Sequence, residues 1–121
     1  MAEHDRCDVI REICQDQGWH AALTILTCPI LRRDGRVWQH VSLERRRIDF
    51  RAALDEGTYS HGEVLLLSCA WSLFNGDISV DLQELACVLG EQNLRTVHLA
   101  MERRAGRGPK LWAEDITFGD E

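Results

Sequence analysis

The sequence predicts a mostly helical α+β fold: an N-terminal helix, a β-hairpin, then a short helix and a three-helix C-terminal bundle. Two observations carry the prediction. Residues 60–105 hold three consecutive apolar-periodic runs, the first two opened by a capping-box pair and each separated from the next by glycine. Upstream, two runs rich in Leu, Ile, Val and Thr flank Arg33-Asp34-Gly35-Arg36. Asp-Gly between such runs signals a hairpin, because both turn residues must tolerate positive φ. A chain of 121 residues, 45% of them hydrophobic, can bury one core without disulfide or metal staples. Residues 1–105 are therefore expected to form a single globular domain and 106–121 a C-terminal tail.

In chain order, Asp5 can cap a first helix reaching about Gln17, with Ile10, Ile13 and Cys14 on one stripe and Gly18 past its end. Residues 22–32 and 37–43 are the expected strands, with a helical alternative for 21–26. Pro29 has no N–H to give a ladder, so its strand belongs at an edge or carries a bulge. Asp49 caps a short helix over 50–55, stopped by Gly57. Ser60 and Glu63 have capping-box spacing, and Tyr59 and Val64 that of a hydrophobic staple. From Glu63 to Phe74 only Glu63, Ser68 and Ser72 are polar, so this helix is expected to be the central, most buried element. After Asn75-Gly76-Asp77, Asp81 and Glu84 repeat the capping pattern, with Val80 and Leu85 as staple. Leu82, Leu85 and Leu89 then share one face up to Gly90. A last helix over 91–105 carries Leu94, Val97 and Met101 on one stripe, and Arg103 and Arg104 in its final turn favour the helix dipole. The tail keeps Leu111, Trp112, Ile116 and Phe118, which a wholly solvated segment rarely retains, so it is expected to dock.

Charge is segregated within the net −6. Residues 32–51 hold seven Arg against three acids, whereas 52–94 hold seven acids and no Lys or Arg, which makes a two-faced molecule the expectation. Thirteen of the fourteen basic residues are Arg, Lys110 being the exception; a GC-rich genome accounts for this as well as guanidinium chemistry does.

Enzymatic chemistry is not expected. Five cysteines, scattered and without a Cys-x-x-Cys pair, read as reduced core thiols. His4, His20, His40, His61 and His98 lack the short-spaced pairing of zinc ligands, and no P-loop, dinucleotide fingerprint or nucleophile elbow occurs. Placing Gly76 at the invariant glycine of a calcium loop sets Trp71, Leu73 and Leu82 where oxygen ligands belong. The reading is thus no catalytic residue, no metal and no cofactor. Apolar stretches are far shorter than the roughly 20 residues of a membrane span, and residues 1–17 are too charged for a signal peptide. A cytoplasmic protein without a membrane partner follows.

The strongest binding candidate is the Arg cluster: Arg32, Arg33 and Arg36 at the expected hairpin turn, then Arg45, Arg46, Arg47 and Arg51, with Trp38 and His40 between. Guanidinium forks suit carboxylates and phosphates, and Arg and Trp anchor protein interfaces. A protein partner is expected, bound through Arg32, Arg33, Arg36, Trp38, Arg45, Arg46 and Arg47, with Trp112 and Phe118 as secondary anchors. Nucleic acid is the rival, bound by the hairpin or by the helix after Gly90. For that helix, Leu85-Ala86-Cys87-Val88-Leu89-Gly90 followed by Thr96 and Val97 resembles the helix-turn-helix family. The resemblance implies that Gln92, Asn93, Arg95 and His98 contact bases, although Glu91 stands where that family has an apolar residue. From His61-Gly62-Glu63 to Asn75-Gly76, and again over 89–104, the chain also resembles small uncharacterised proteins of high-GC actinobacteria and their phages. That likeness implies a phage or mobile-element accessory protein with no catalytic assignment. The expected function is accordingly a non-enzymatic regulator that binds a host protein.

Overall fold

Residues Gly18 to Leu26 are all buried, and they belong to a helix at the hub of the molecule. In the computed structural model, which describes residues 3–109 and the side chains of 8–109, the order is α1 (Glu3–Ile13), α2 (Gln17–Leu26), α3 (Gly35–Trp38), β1 (Val41–Ser42), β2 (Arg47–Ile48), α4 (Phe50–Asp55), α5 (His61–Asn75), α6 (Leu82–Val88) and α7 (Glu91–Arg104). The fold is mostly helical α+β with a single small antiparallel hairpin among the described residues.

The largest departure from the sequence reading is α2, which occupies the place of the first expected strand. The Asp16 carboxylate accepts from the Trp19 amide at 3.0 Å and starts the helix, so α1 stops before Gln17 and Gly18 lies inside α2 instead of past the end of α1. A Cβ at Gly18 would sit 2.5 Å from the Phe74 carbonyl oxygen; only glycine lets α2 and α5 approach this closely. The hydroxyls of Thr24 and Thr27 donate to the carbonyls of His20 and Leu23 at 2.7 and 2.6 Å, so Thr24 within α2 and Thr27 at its C-cap are both satisfied by the helix backbone. Pro29 falls in the turns that follow α2, not in an edge strand.

The expected turn is helical as well. The Asp34 carboxylate accepts from the Arg36 amide at 3.0 Å and caps α3, and neither Asp34 nor Gly35 takes a positive φ. The hairpin lies further on. Val41 pairs with Ile48 and Ser42 with Arg47, and Arg46, at φ 56°, takes the left-handed position of the turn.

The later elements form where expected. Asp49 caps α4 through the Ala52 amide. At α5 the capping box is complete, with Glu63 N–H to Ser60 Oγ at 3.1 Å and Ser60 N–H to Glu63 Oε1 at 2.7 Å, and Gly76 closes the helix at φ 76°. Asp81 caps α6, but Glu84 turns to His61 and does not close a second box.

The main core gathers Ala21, Ala22, Ile25 and Leu26 of α2 with Leu65, Leu66, Leu67, Cys69 and Ala70 of α5 and Val97 and Ala100 of α7. α5 was expected at the centre; instead α2 lies between α5 and α7, and residues of α5 such as Val64 remain exposed. A second cluster joins Ile10, Ile13 and Cys14 to Trp19 and Leu23, with Trp19 edge-on to Phe74 at 5.3 Å. Arg103 is also buried; it donates to Thr24 Oγ1 at 2.9 Å and to the Pro109 carbonyl at 2.7 Å, which ties α7 to α2 and holds residues 106–109 against the helix. α6 is peripheral: Leu85 and the following Leu89 are buried, while Leu82, expected on the same face, is 73% exposed. Cys87, expected with the other cysteines as a core thiol, is exposed too.

Candidate partner-binding surfaces

The arginine cluster divides into structural and available members. Arg36 is structural. Its guanidinium donates to both Asp34 oxygens (3.0 and 2.6 Å), to the Thr58 carbonyl (2.7 Å) and to Glu63 Oε2 (3.3 Å), and it lies 4.2 Å from the Tyr59 ring centroid. One side chain thereby joins α3, the 57–60 segment and the start of α5. The fork of Arg36 holds the Asp34 carboxyl below its ordinary pKa, and Asp34 in turn raises that of Arg36. Tyr59, whose phenol is pushed up by burial, donates to the Ala53 carbonyl at 2.6 Å and so anchors α4 to the same strut. Trp38 is half-buried against both core clusters, and its indole N–H donates to the Leu31 carbonyl at 3.0 Å. Both residues, expected as partner anchors, have their polar groups engaged within the chain.

Arg46 pairs with Glu12 at 3.4 Å. Arg32, Arg33, Arg45, Arg47 and Arg51 have no carboxylate within ion-pair distance among the described residues. Three of these five share one place. Arg45 and Arg47 of the hairpin and Arg51 of α4 line an open cleft of about 380 Å³, with His40, Asp49 and Asp77 also at its walls. Its apolar floor comes from Val41, Ile48, Phe50 and Trp71. Phe50 stacks on Trp71 at 6.0 Å, and the Arg51 guanidinium lies 5.3 Å over the same indole. Arg32 and Arg33 lie outside this cleft. Trp71 was not among the expected site residues, because it falls in an apolar run that reads as core.

A second surface differs in chemistry. Leu82 and Leu85 of α6 and Leu94, Val97 and Met101 of α7 line an apolar groove of about 430 Å³, edged by Glu91, Arg95 and His98. Of the expected core stripe of α7, Val97 is buried while Leu94 and Met101 are 38% and 48% exposed, and Ala100 and Arg103 are the other buried residues of the helix. Arg95, a base contact on the helix-turn-helix resemblance, is held by Glu91 at 2.6 Å. The face α7 offers is thus more apolar than basic, which suits phosphates poorly.

Trp112 and Phe118 lie outside the described residues. Cys14, Cys28 and Cys69 are buried; burial raises the Cys28 thiol and pushes Cys69 up to about 11, so neither supplies a thiolate near neutral pH. Among the described residues no three His, Cys, Asp or Glu side chains cluster as metal ligands, and no helix is long and apolar enough to cross a membrane. No protein-family model, curated protein or solved structure matches the chain.

Proposed function

We propose that this chain is a non-enzymatic binding protein, an accessory or regulatory factor that takes an acidic segment of a partner protein into the Arg45–Arg47–Arg51 cleft. The observation that carries the reading is that three guanidinium groups, each without a carboxylate at ion-pair distance among the described residues, line one cleft with an aromatic floor. Exposed arginine keeps its hydration and is cheap to leave unpaired, whereas bidentate pairing with a partner's carboxylates gives orientation and specificity. The resemblance of residues 61–76 and 89–104 to small proteins of high-GC actinobacteria and their phages supports an accessory factor of a phage or mobile element.

A protein is favoured over nucleic acid on one observation. The Trp71 ring, already contacted by Phe50 and Arg51, has less of its surface left for stacking a base.

The test compares a fluorescent peptide of alternating Glu and Asp bearing one Trp with a dT12 oligonucleotide, each titrated against the full chain at several salt concentrations. The peptide should bind, and replacing Arg45, Arg47 and Arg51 with Ala should weaken it by at least about tenfold. Tight dT12 binding with a steep loss in salt would move the reading to nucleic acid. Equal peptide affinity in the triple variant would end the cleft assignment.

A further inference from the structure

We propose that the α6–α7 apolar groove is the two-fold interface of a homodimer, a surface separate from the cleft and independent of what the cleft binds. Two observations on the same groove support a second copy as its occupant.

The first is the exposure of large apolar side chains on one continuous strip. Leu82 is 73%, Met101 48% and Leu94 38% exposed, and all three line the same groove, whose walls are otherwise Leu85, Ala86 and Val97. Burying such a strip against another apolar strip is the main favourable contribution to association, and a strip of this kind on a small domain marks an interaction surface.

The second is the charge pattern on the rim. Glu91 and Arg95 stand one helical turn apart on the exposed side of α7 and pair with each other at 2.6 Å. A two-fold axis brings identical surfaces together, so an interface across it must complement itself. Glu91 and Arg95 do. When two α7 helices approach antiparallel with the axis near Asn93, Glu91 of each copy faces Arg95 of the other, and Leu94 of both copies falls beside the axis. The intrahelical pair is almost fully exposed, 78% and 79%, and exposed pairs of this kind contribute little. Exchanging the two intrahelical pairs of two copies for two pairs across the axis, at the margin of a buried apolar strip, therefore loses little and fixes the register. A partner of one charge sign would leave half of this rim opposed by its own kind.

Sedimentation equilibrium of the full chain from about 1 to 200 µM is the test. The mass should rise from 13.8 kDa to twice that value. Leu82→Glu, at the most exposed groove position and in the first turn of α6 where an acid suits the helix, should raise the dimer Kd at least about a hundredfold with an unchanged far-UV circular dichroism spectrum. Leu94→Glu with Met101→Glu should do the same. Glu91→Arg alone and Arg95→Glu alone should each weaken the dimer several-fold, and the two together should restore it, because a double reversal preserves self-complementarity. A chain that stays monomeric throughout, whether its groove is bare or covered by its own residues 110–121, overturns the proposal. So does a dimer that Leu82→Glu leaves intact, or one in which the double reversal is no better than the singles.

Discussion

Around the cleft, exposed arginines border aromatics: Phe50 is 3% exposed and stacks on half-buried Trp71, Arg51 lies over that indole, and Arg45 and Arg47 reach into solvent beside them. Along α6 and α7 the relation is reversed. Leucines and a methionine reach into solvent, and the helix beneath is held by a few buried groups, Leu85 and Leu89 on one side and Val97, Ala100 and Arg103 on the other. The difference is energetic as well as chemical. An exposed guanidinium is well hydrated, so the cleft is complete in an isolated chain and its partner is optional. Exposed apolar area forgoes about 25 cal/mol for each Å² that a cover would bury, so the groove is the surface that favours being covered.

If the cleft rests on its aromatic floor, the largest effect there comes from below. Phe50→Ala should lower stability by about 3–5 kcal/mol in urea unfolding, through lost transfer energy and a cavity under Trp71, and should weaken binding at the cleft with it. A loss below 1 kcal/mol would mean that the arginines hold the corner, not the aromatic. In the other corner Leu85→Ala should cost about 2–5 kcal/mol, whereas Leu82→Ala, one helical turn away, should leave monomer stability within about 0.5 kcal/mol. Equal effects at the two leucines would erase the distinction between anchor and surface. Gly18→Ala tests the hub that the two corners share. The new methyl would meet the Phe74 backbone carbonyl, and the overpacking should cost about 1–3 kcal/mol. A neutral or stabilising outcome would show that α2 and α5 can move apart.

What the sequence made legible was local. The α5 start could be read because Ser60 and Glu63 cap within four residues, and the α4 start because Asp49 reaches Ala52. α2 was harder, since a run apolar on nearly every side suits a buried strand and a buried helix equally. The packing of α5 and α7 around it, with Gly18 against Phe74, decides the matter from about 40 to 80 residues away. Asp34-Gly35 was ambiguous for a related reason: aspartate both opens a type I′ turn and caps a helix, and here Asp34 caps α3. The basic character of residues 32–51 was plain, but which arginine is neutralised was not. Glu63 reaches Arg36 from 27 residues away, and Trp71 enters the cleft from a helix that reads as core.

The smallest expected effect separates the Arg36 strut from the free arginines beside it. Asp34 has a folded-state pKa below that of an unfolded aspartate, because the Arg36 fork donates to its charged form. Such a group binds fewer protons folded than unfolded over the interval between the two values, so its stabilisation is fully present above the unfolded pKa of about 3.9 and is lost as pH falls through the lower, folded value. Asp34→Asn keeps a cap for α3, since asparagine serves that position as well as aspartate, but it removes the charge that Arg36 grips. The Tm of the parent should therefore exceed that of Asp34→Asn by a modest, constant margin from pH 5 to 7, and the margin should shrink below about pH 4. Replacing Arg45 and Arg47, which have no such partner, should produce no margin that follows carboxylate titration. If the Asp34→Asn margin stays flat down to pH 2.5, Arg36 holds this corner through Thr58, Tyr59 and Glu63, and its ion pair with Asp34 contributes nothing to the platform from which the cleft is built.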